Sequence, residues 1–261
     1  VDIVVRGEGE ITFKEICDSI YGNSHYKDIL GISFRSGTEI VHNADRPLEP
    51  NIDKFRDFDK NDLPDPKKYS LVSSVFKVAT NEMVFFSVMA TRGCPSSCVF
   101  CSLRADKVRR RSVDSVIKEI EEKIEITGER NVFFRDPSLT ISKKFVTELC
   151  ERILEKKLNI KWVCYSRVDM DIELLKLMKK AGLIGVEVAL ESGSPRVLKA
   201  IKKRISLEQF EVFCKAAYSI RLRLFAFCMI SLPDEKLEDV DMTISLIKKL
   251  SKYIYSVSGL Q

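Results

Sequence analysis

From about residue 84 onward, short runs of apolar, β-branched and aromatic residues alternate with stretches whose apolar positions recur three and four residues apart. The runs are VFFSVMA (84–90), NVFFR (131–135), IKWVCY (160–165), LIGVEVAL (183–190), LRLFAFCMI (222–230) and YIYSV (253–257). Continuous apolar runs this short, rich in Val, Ile and Phe, predict buried strands. The stretches between them, such as SVDSVIKEIEEKIEIT and SKKFVTELCERILEKK, each present one apolar stripe. That is what a helix packed on a sheet requires. Strand–helix alternation implies right-handed crossovers and a parallel sheet. Six such strands are too few for a closed eight-stranded barrel, and suit an open doubly wound sheet or a partial barrel.

The front of the chain follows a different pattern. DIVVRGEGEITFKEICDSIYG predicts one strand, a glycine-containing turn and one helix, and ILGISFRSGTEIVHN predicts two short strands joined at Ser-Gly. RPLEPNIDKFRDFDKNDLPDPKKYS, rich in Pro and Asp, has the composition of a linker. The expected organisation is a small α/β piece over 1–45, a linker over 46–75 and a core domain over 76–261. The chain opens on VDIVV rather than Met and stops at YSVSGLQ, so it is expected to be an internal segment of a longer protein. Apolar surface is expected at both ends, on Ile3, Val4 and Val5 and on Ile254, Tyr255 and Val257.

Apolar residues make up 45% of the chain and charged residues 31%, an ordinary globular balance. No apolar run approaches the roughly 20 residues of a membrane span, and no leader-like segment opens the chain. The net charge of +5 is mild, and the basic residues are interleaved with acidic ones along helical stretches. Nucleic acid is therefore not an expected partner. The denser KVRRR patch at 107–111 is either a phosphate or carboxylate contact or a solvated loop before a helix. Eight cysteines argue for a reducing, cytoplasmic setting over a disulfide framework. Five of them, Cys17, Cys150, Cys164, Cys214 and Cys228, are scattered singly and read as buried free thiols.

The other three are Cys94, Cys98 and Cys101 in RGCPSSCVFCSLR, directly after the first strand of the repeat. They fall at the carboxyl end of a parallel sheet, where the active sites of such folds assemble. Gly93, Pro95, Ser96 and Ser97 let the loop curl so that three sulfurs converge. Structural zinc prefers four ligands, commonly in two close pairs, and the fourth is missing locally. The two histidines, His25 and His42, lie in the front region. Three packed thiols without metal would be a poor way to fill a core. An iron–sulfur cluster on three thiolates leaves one iron open to a substrate or cofactor, which suits catalysis.

TRGCPSSCVFC resembles the cluster loop of radical S-adenosylmethionine (SAM) enzymes, and residues 84–257 are similar to most of that family's core, a six-stranded partial (β/α) barrel. The resemblance implies a [4Fe–4S] cluster on Cys94, Cys98 and Cys101 whose open iron takes the amino and carboxylate groups of SAM. Reductive cleavage then gives methionine and a 5′-deoxyadenosyl radical that abstracts hydrogen from substrate. FFRDPSLT resembles the motif after the second strand, with Asp136 at the acidic position, and WVCYSRVD places Arg167 and Asp169 near the site. EVALESGSPRVLKAIKK resembles the fourth-strand motif, which brings Glu191, Ser192 and Gly193 toward the SAM ribose and methionyl part. Phe100 is placed to lay its ring near cluster and adenine. CMISLPDEKLEDV resembles the loop along the adenosine, with Ser231 and Asp234 where the family usually has glycines. Each motif also has a plain structural reading. Asp136-Pro137 ends a strand, Asp171 caps a helix, and Ser194-Pro195 opens one.

VDIVVRGEGE resembles the last strand and helix of a cobalamin-binding domain that precedes the core in one radical SAM subclass. The motif supplying a cobalt-coordinating histidine is absent, and His25 reads as an ordinary surface residue. The expected activity is cobalamin-linked methyl transfer or ring formation on a small-molecule substrate, with flavodoxin or ferredoxin as electron donor. The alternatives are a methylthiotransferase acting on RNA or protein and a non-catalytic iron–sulfur or zinc module.

Overall fold

A computed structural model describes residues 2–22, 25–55, 85–105 and 107–260. Most of the expected linker, from 56 to 75, lies outside the described residues, as does the first residue of the run at 84–90. The chain divides into two compact units, one ending at Phe55 and one beginning at Arg56.

The first unit holds β1 (Ile3–Val5), α1 (Gly9–Tyr21), β2 (Ile32–Ser36) and β3 (Glu39–His42). The β2–β3 hairpin turns at Gly37 (φ +61°), as the Ser-Gly signal predicts. Ile16, Ile32 and Phe34 form its small core. β1 is antiparallel to β2, where a strand of a doubly wound sheet would have parallel neighbours. This unit does not by itself show a piece of a cobalamin-binding fold. Val4 is exposed, whereas Ile3 and Val5 are half-buried. Cys17 is half-buried rather than fully buried, and His25 is exposed.

The second unit is a six-stranded sheet in the order β11-β10-β9-β8-β7-β4, with every neighbouring pair parallel. Its strands are β4 (Phe86–Val88), β7 (Asn131–Phe134), β8 (Lys161–Ser166), β9 (Leu183–Glu191), β10 (Arg223–Met229) and β11 (Ser256–Leu260). A short β5 (Thr91–Arg92) and β6 (Arg109–Arg110) pair beside it. The helices are α2 (Val113–Thr127), α3 (Lys143–Glu155), α4 (Ile172–Lys180), α5 (Pro195–Ala200), α6 (Leu207–Ser219) and α7 (Leu237–Leu250).

The helical stripes decide between the two sheet architectures. Ile117 and Ile120 of α2, Val146 and Leu149 of α3, Leu175 and Met178 of α4, and Phe210 and Phe213 of α6 all join one cluster. From the sheet that cluster takes Val132, Phe134, Trp162, Cys164, Val186, Val188, Leu224 and Ala226. These alternate with Phe133, Val163 and Phe225, which form a separate cluster with Phe85 and include no helical residue. Helices on one face only is the partial-barrel arrangement, since a doubly wound sheet covers both. Trp162 anchors the helical face. It is fully buried, its indole N–H donates to the Ala181 carbonyl at 2.9 Å, and it stacks edge-on against Phe134. Burial of a side chain that large contributes about 2–3 kcal/mol.

Helix starts follow the capping residues in the sequence. Ser112, Ser142, Asp171, Ser194 and Ser206 each accept a first-turn N–H, with Pro195 at the first turn of α5. The last strand begins at Ser256 instead of Tyr253. Ile254, expected to be exposed, is buried in the main core, while Tyr255 and Val257 remain exposed. Leu250 ends α7 against the sheet, so the chain needs the next few residues to turn back into it.

Candidate active site

The loop after β4 is built by its flanks. The Asp136 carboxylate, fully buried, accepts the Ala90 N–H at 3.1 Å and the Thr91 hydroxyl at 2.6 Å. Burial pushes its pKa up to about 6 against the pull of those donors. Arg111 is also buried, pairing with Glu119 and donating to the Met89 carbonyl at 3.2 Å. The last arginine of the basic patch is therefore a strut between α2 and this loop, bound to a carboxylate of its own chain rather than solvated. Gly93 starts the loop at φ +89°, and a Cβ there would lie 2.6 Å from that of Ala105. The Cys94 N–H donates to Leu103, and Cys94 accepts from Ala105, both at 2.9 Å. These bonds close the loop so that Cys94, Cys98 and Cys101 all face one cleft.

The cleft, about 190 Å³, opens at the carboxyl ends of the strands. Its strand-end tier carries the three thiols with Phe100, Arg167, Glu191 and Lys203. Arg167, just past β8, holds Asp169 through two N–H groups at 2.9 and 2.8 Å and reaches Ser96 of the cysteine loop at 2.9 Å. That contact raises the Arg167 pKa and lowers the Asp169 pKa, each chiefly through their mutual hydrogen bonds. Glu191 ends β9 at φ +66°, a left-handed conformation that favours glycine. It is 5% exposed and paired with Lys203 at 2.9 Å. Burial pushes the Cys98 thiol up, against the pull of the Lys203 ammonium. Strain at a non-glycine residue beside a cleft is a common mark of a functional position.

Of the residues singled out in the sequence, the structure brings Cys94, Cys98, Cys101, Phe100, Arg167 and Glu191 together. Three others sit apart from the cleft lining. Asp136 lies beneath the cysteine loop as its clamp. Ser192 and Gly193 face α7, where the Gly193 N–H donates to the Thr243 hydroxyl at 2.7 Å and Ser192 meets the same hydroxyl at 3.3 Å. A Cβ on Gly193 would lie 2.6 Å from the Thr243 Cα, so the glycine is required by the approach of that helix. Ser231 (φ +65°) and Asp234 (φ +62°) hold glycine-type conformations without being glycine.

Lys203 and the mid-strand tier of Tyr165, Glu187 and Phe227 were not singled out from the sequence. Lys203 is one basic residue among several after α5, and nothing in its spacing marks it. Glu187 did carry a signal, as a lone charge inside the apolar run LIGVEVAL. A wider depression of about 570 Å³ adjoins the loop at Ser97, with Lys199, Lys202, Lys203 and Arg204 on its wall.

Residues 88–247 match the model of the radical SAM superfamily. An uncharacterized methyltransferase of Pyrococcus horikoshii is 35% identical over 254 residues, which are 96% of this chain and 53% of the relative. An anaerobic magnesium-protoporphyrin IX monomethyl ester cyclase of Synechocystis sp. is 26% identical, over 78% of this chain and 40% of the relative. The chain thus spans about half, or less, of the length of these relatives. Among solved structures, the radical SAM methyltransferase TsrM of Kitasatospora setae, with cobalamin and a [4Fe–4S] cluster bound, superposes with a TM-score of 0.79. At 17% identity it covers 99% of this chain and 52% of that one, a likeness of fold. With its cysteine loop, parallel sheet and strand-end cleft, the chain belongs to the radical SAM superfamily.

Proposed function

We propose that this chain is the catalytic core of a radical SAM enzyme, in which Cys94, Cys98 and Cys101 hold a [4Fe–4S] cluster and the cleft beside them binds SAM. The observation that carries this is the strand-end tier, with three thiols on one loop facing opposite charges in a single cleft. Tetrahedral zinc holds its thiolates about 4 Å apart. Among the described residues no three His, Cys, Asp or Glu side chains are grouped to share one ion. The donor set fits a larger, multi-iron group, and Lys203 and Arg167 offset the negative charge of its thiolates.

When bound and reduced, the cluster supplies the electron that cleaves SAM. The protein's part is to hold the reactants and exclude water. Arg167 and Lys203 suit the carboxylate of a zwitterionic ligand, and Glu191 and Asp169 suit its ammonium. Phe100, 41% exposed at the cleft edge, offers an apolar face to the adenine. Asp136 holds the loop backbone in place. The basic wall of Lys199, Lys202 and Arg204 beside the loop suits an acidic electron donor of the flavodoxin or ferredoxin type. We propose methyl transfer or ring formation on a small molecule, linked to cobalamin in the whole protein, a reading that the methyltransferase and cyclase relatives support. Eight free thiols fit a reducing, cytoplasmic setting. Among the described residues no helix is long and apolar enough to cross a membrane.

The test is anaerobic reconstitution with iron and sulfide counting. About four irons per chain are expected. Cys98→Ala should abolish them, whereas Cys150→Ala and Cys214→Ala should not, because burial holds both of those thiols up to about 12. Zinc without labile sulfide, or equal loss in all three variants, would overturn the proposal.

A further inference from the structure

The floor of the cleft carries a group that the cluster and SAM do not account for. Glu187 lies in the middle of β9, four residues before Glu191, or about 13 Å along the strand. Its register partners are Tyr165 on β8 and Phe225 on β10. Phe133 packs on Tyr165 at 5.4 Å, and Phe227 on its other side at 6.3 Å. In the middle of this aromatic face Glu187 is 2% exposed, lines the cleft, and leaves its Oε1 without a hydrogen-bond partner among the described residues. The Tyr165 hydroxyl hydrogen-bonds to the carboxylate and the Arg135 charge eases it, yet Oε1 is left without a partner. Native folds rarely leave a buried carboxylate oxygen unpaired, because its desolvation costs several kcal/mol. An apolar residue would fill the site better.

We propose that Glu187 anchors the substrate, accepting a hydrogen bond from an N–H or O–H donor on a flat, apolar ring system laid against Tyr165 and Phe227. The inference rests on the reading of this cleft as the reaction chamber. The aromatic rings provide the stacking surface and the free oxygen provides orientation. A site that leaves its acceptor unpaired discriminates strongly against a ligand lacking the donor. Glu187 acts here by positioning; no proton transfer is assigned to it.

The test uses indole and benzothiophene, which share a shape but differ in the N–H. Both are titrated into the anaerobically reconstituted protein and followed by ligand-observed NMR. Wild type is expected to bind indole at least tenfold more tightly. Glu187→Leu should erase that preference, and Glu187→Gln should keep part of it, because its amide oxygen still accepts. Equal affinities in wild type, no saturable indole binding, or a preference surviving in Glu187→Leu would each overturn the proposal. Melting temperature separates anchoring from architecture. A purely structural carboxylate would lower it in both variants, which also overturns the proposal, whereas an anchor leaves it unchanged or raised. Iron content on the same samples keeps the two readings apart. A chain without cluster but with an indole preference contradicts the cluster alone.

Discussion

The two tiers of the cleft treat charge in opposite ways. At the strand ends Arg167 holds Asp169 and Lys203 holds Glu191, with the thiols beside both cations. At mid-strand a single carboxylate sits among aromatic rings with one oxygen unsatisfied. Burial costs are offset within the first tier and left standing in the second. The strand-end tier is thus complete as a protein structure and opens its pairs to a zwitterion, whereas the mid-strand tier becomes complete only with a ligand. On the proposed reading, SAM meets the first tier and the substrate meets the second.

Four substitutions sharpen or break that contrast. The largest effect is expected from Lys203→Met, which strands Glu191 as a buried, unpaired carboxylate. Stability should fall by about 2–3 kcal/mol in denaturant unfolding, less than for a wholly buried pair because Lys203 is 17% exposed. SAM affinity should fall at least tenfold in equilibrium dialysis. Loss of less than threefold in affinity would remove the pair from the binding site.

Glu187→Gln should do the reverse. Burial raises the Glu187 pKa from 4.5 to about 7, so the folded state binds a proton that the unfolded state has released over that interval. Stability of the wild type therefore falls as pH rises from about 4.5 to about 7, and the variant lacks this loss. Equal stability is expected at pH 4, and an advantage of about 1–3 kcal/mol to the variant at pH 8. Chemical denaturation across pH checks it, and a variant less stable at pH 8 breaks the contrast between tiers. Asp136, raised from 3.8 to about 6, adds a decline of the same sign to both proteins.

The smallest effect is on the loop after β10. Ser231→Gly and Asp234→Gly relieve left-handed backbone and should each add about 0.5–1 kcal/mol. SAM affinity should stay within twofold of wild type. Destabilisation by either glycine would mean that the side chain, not the backbone path, is what the loop needs.

The strand-end tier was legible because its chemistry sits in local spacing. Cys94, Cys98 and Cys101 fall within eight residues, and the ESGSP turn carries its own cap and proline. Strand and helix order was legible from periodicity, since α2, α3, α4 and α6 each bury one stripe on one sheet face. What escaped depends on neighbours far along the chain. Asp136 reads the same from sequence whether it meets a ligand or the Ala90 amide 46 residues earlier, and only the fold shows that it clamps the loop. Gly193 reads as a ligand-approach glycine until Thr243 of α7 is seen against it. Glu187 owes its meaning to Tyr165 and Phe225 on two other strands. Ile254 looked like a strand residue because apolar runs do not mark where a turn gives way to pairing.

The most direct test of the whole account is the electron paramagnetic resonance spectrum of the dithionite-reduced, reconstituted chain before and after SAM. Three thiolates that leave one iron open predict a reduced four-iron signal whose g-values shift when SAM is added, and a Lys203→Met chain that keeps the signal but needs at least tenfold more SAM to shift it. A four-iron signal indifferent to saturating SAM, or no such signal at all, would contradict the account at its centre.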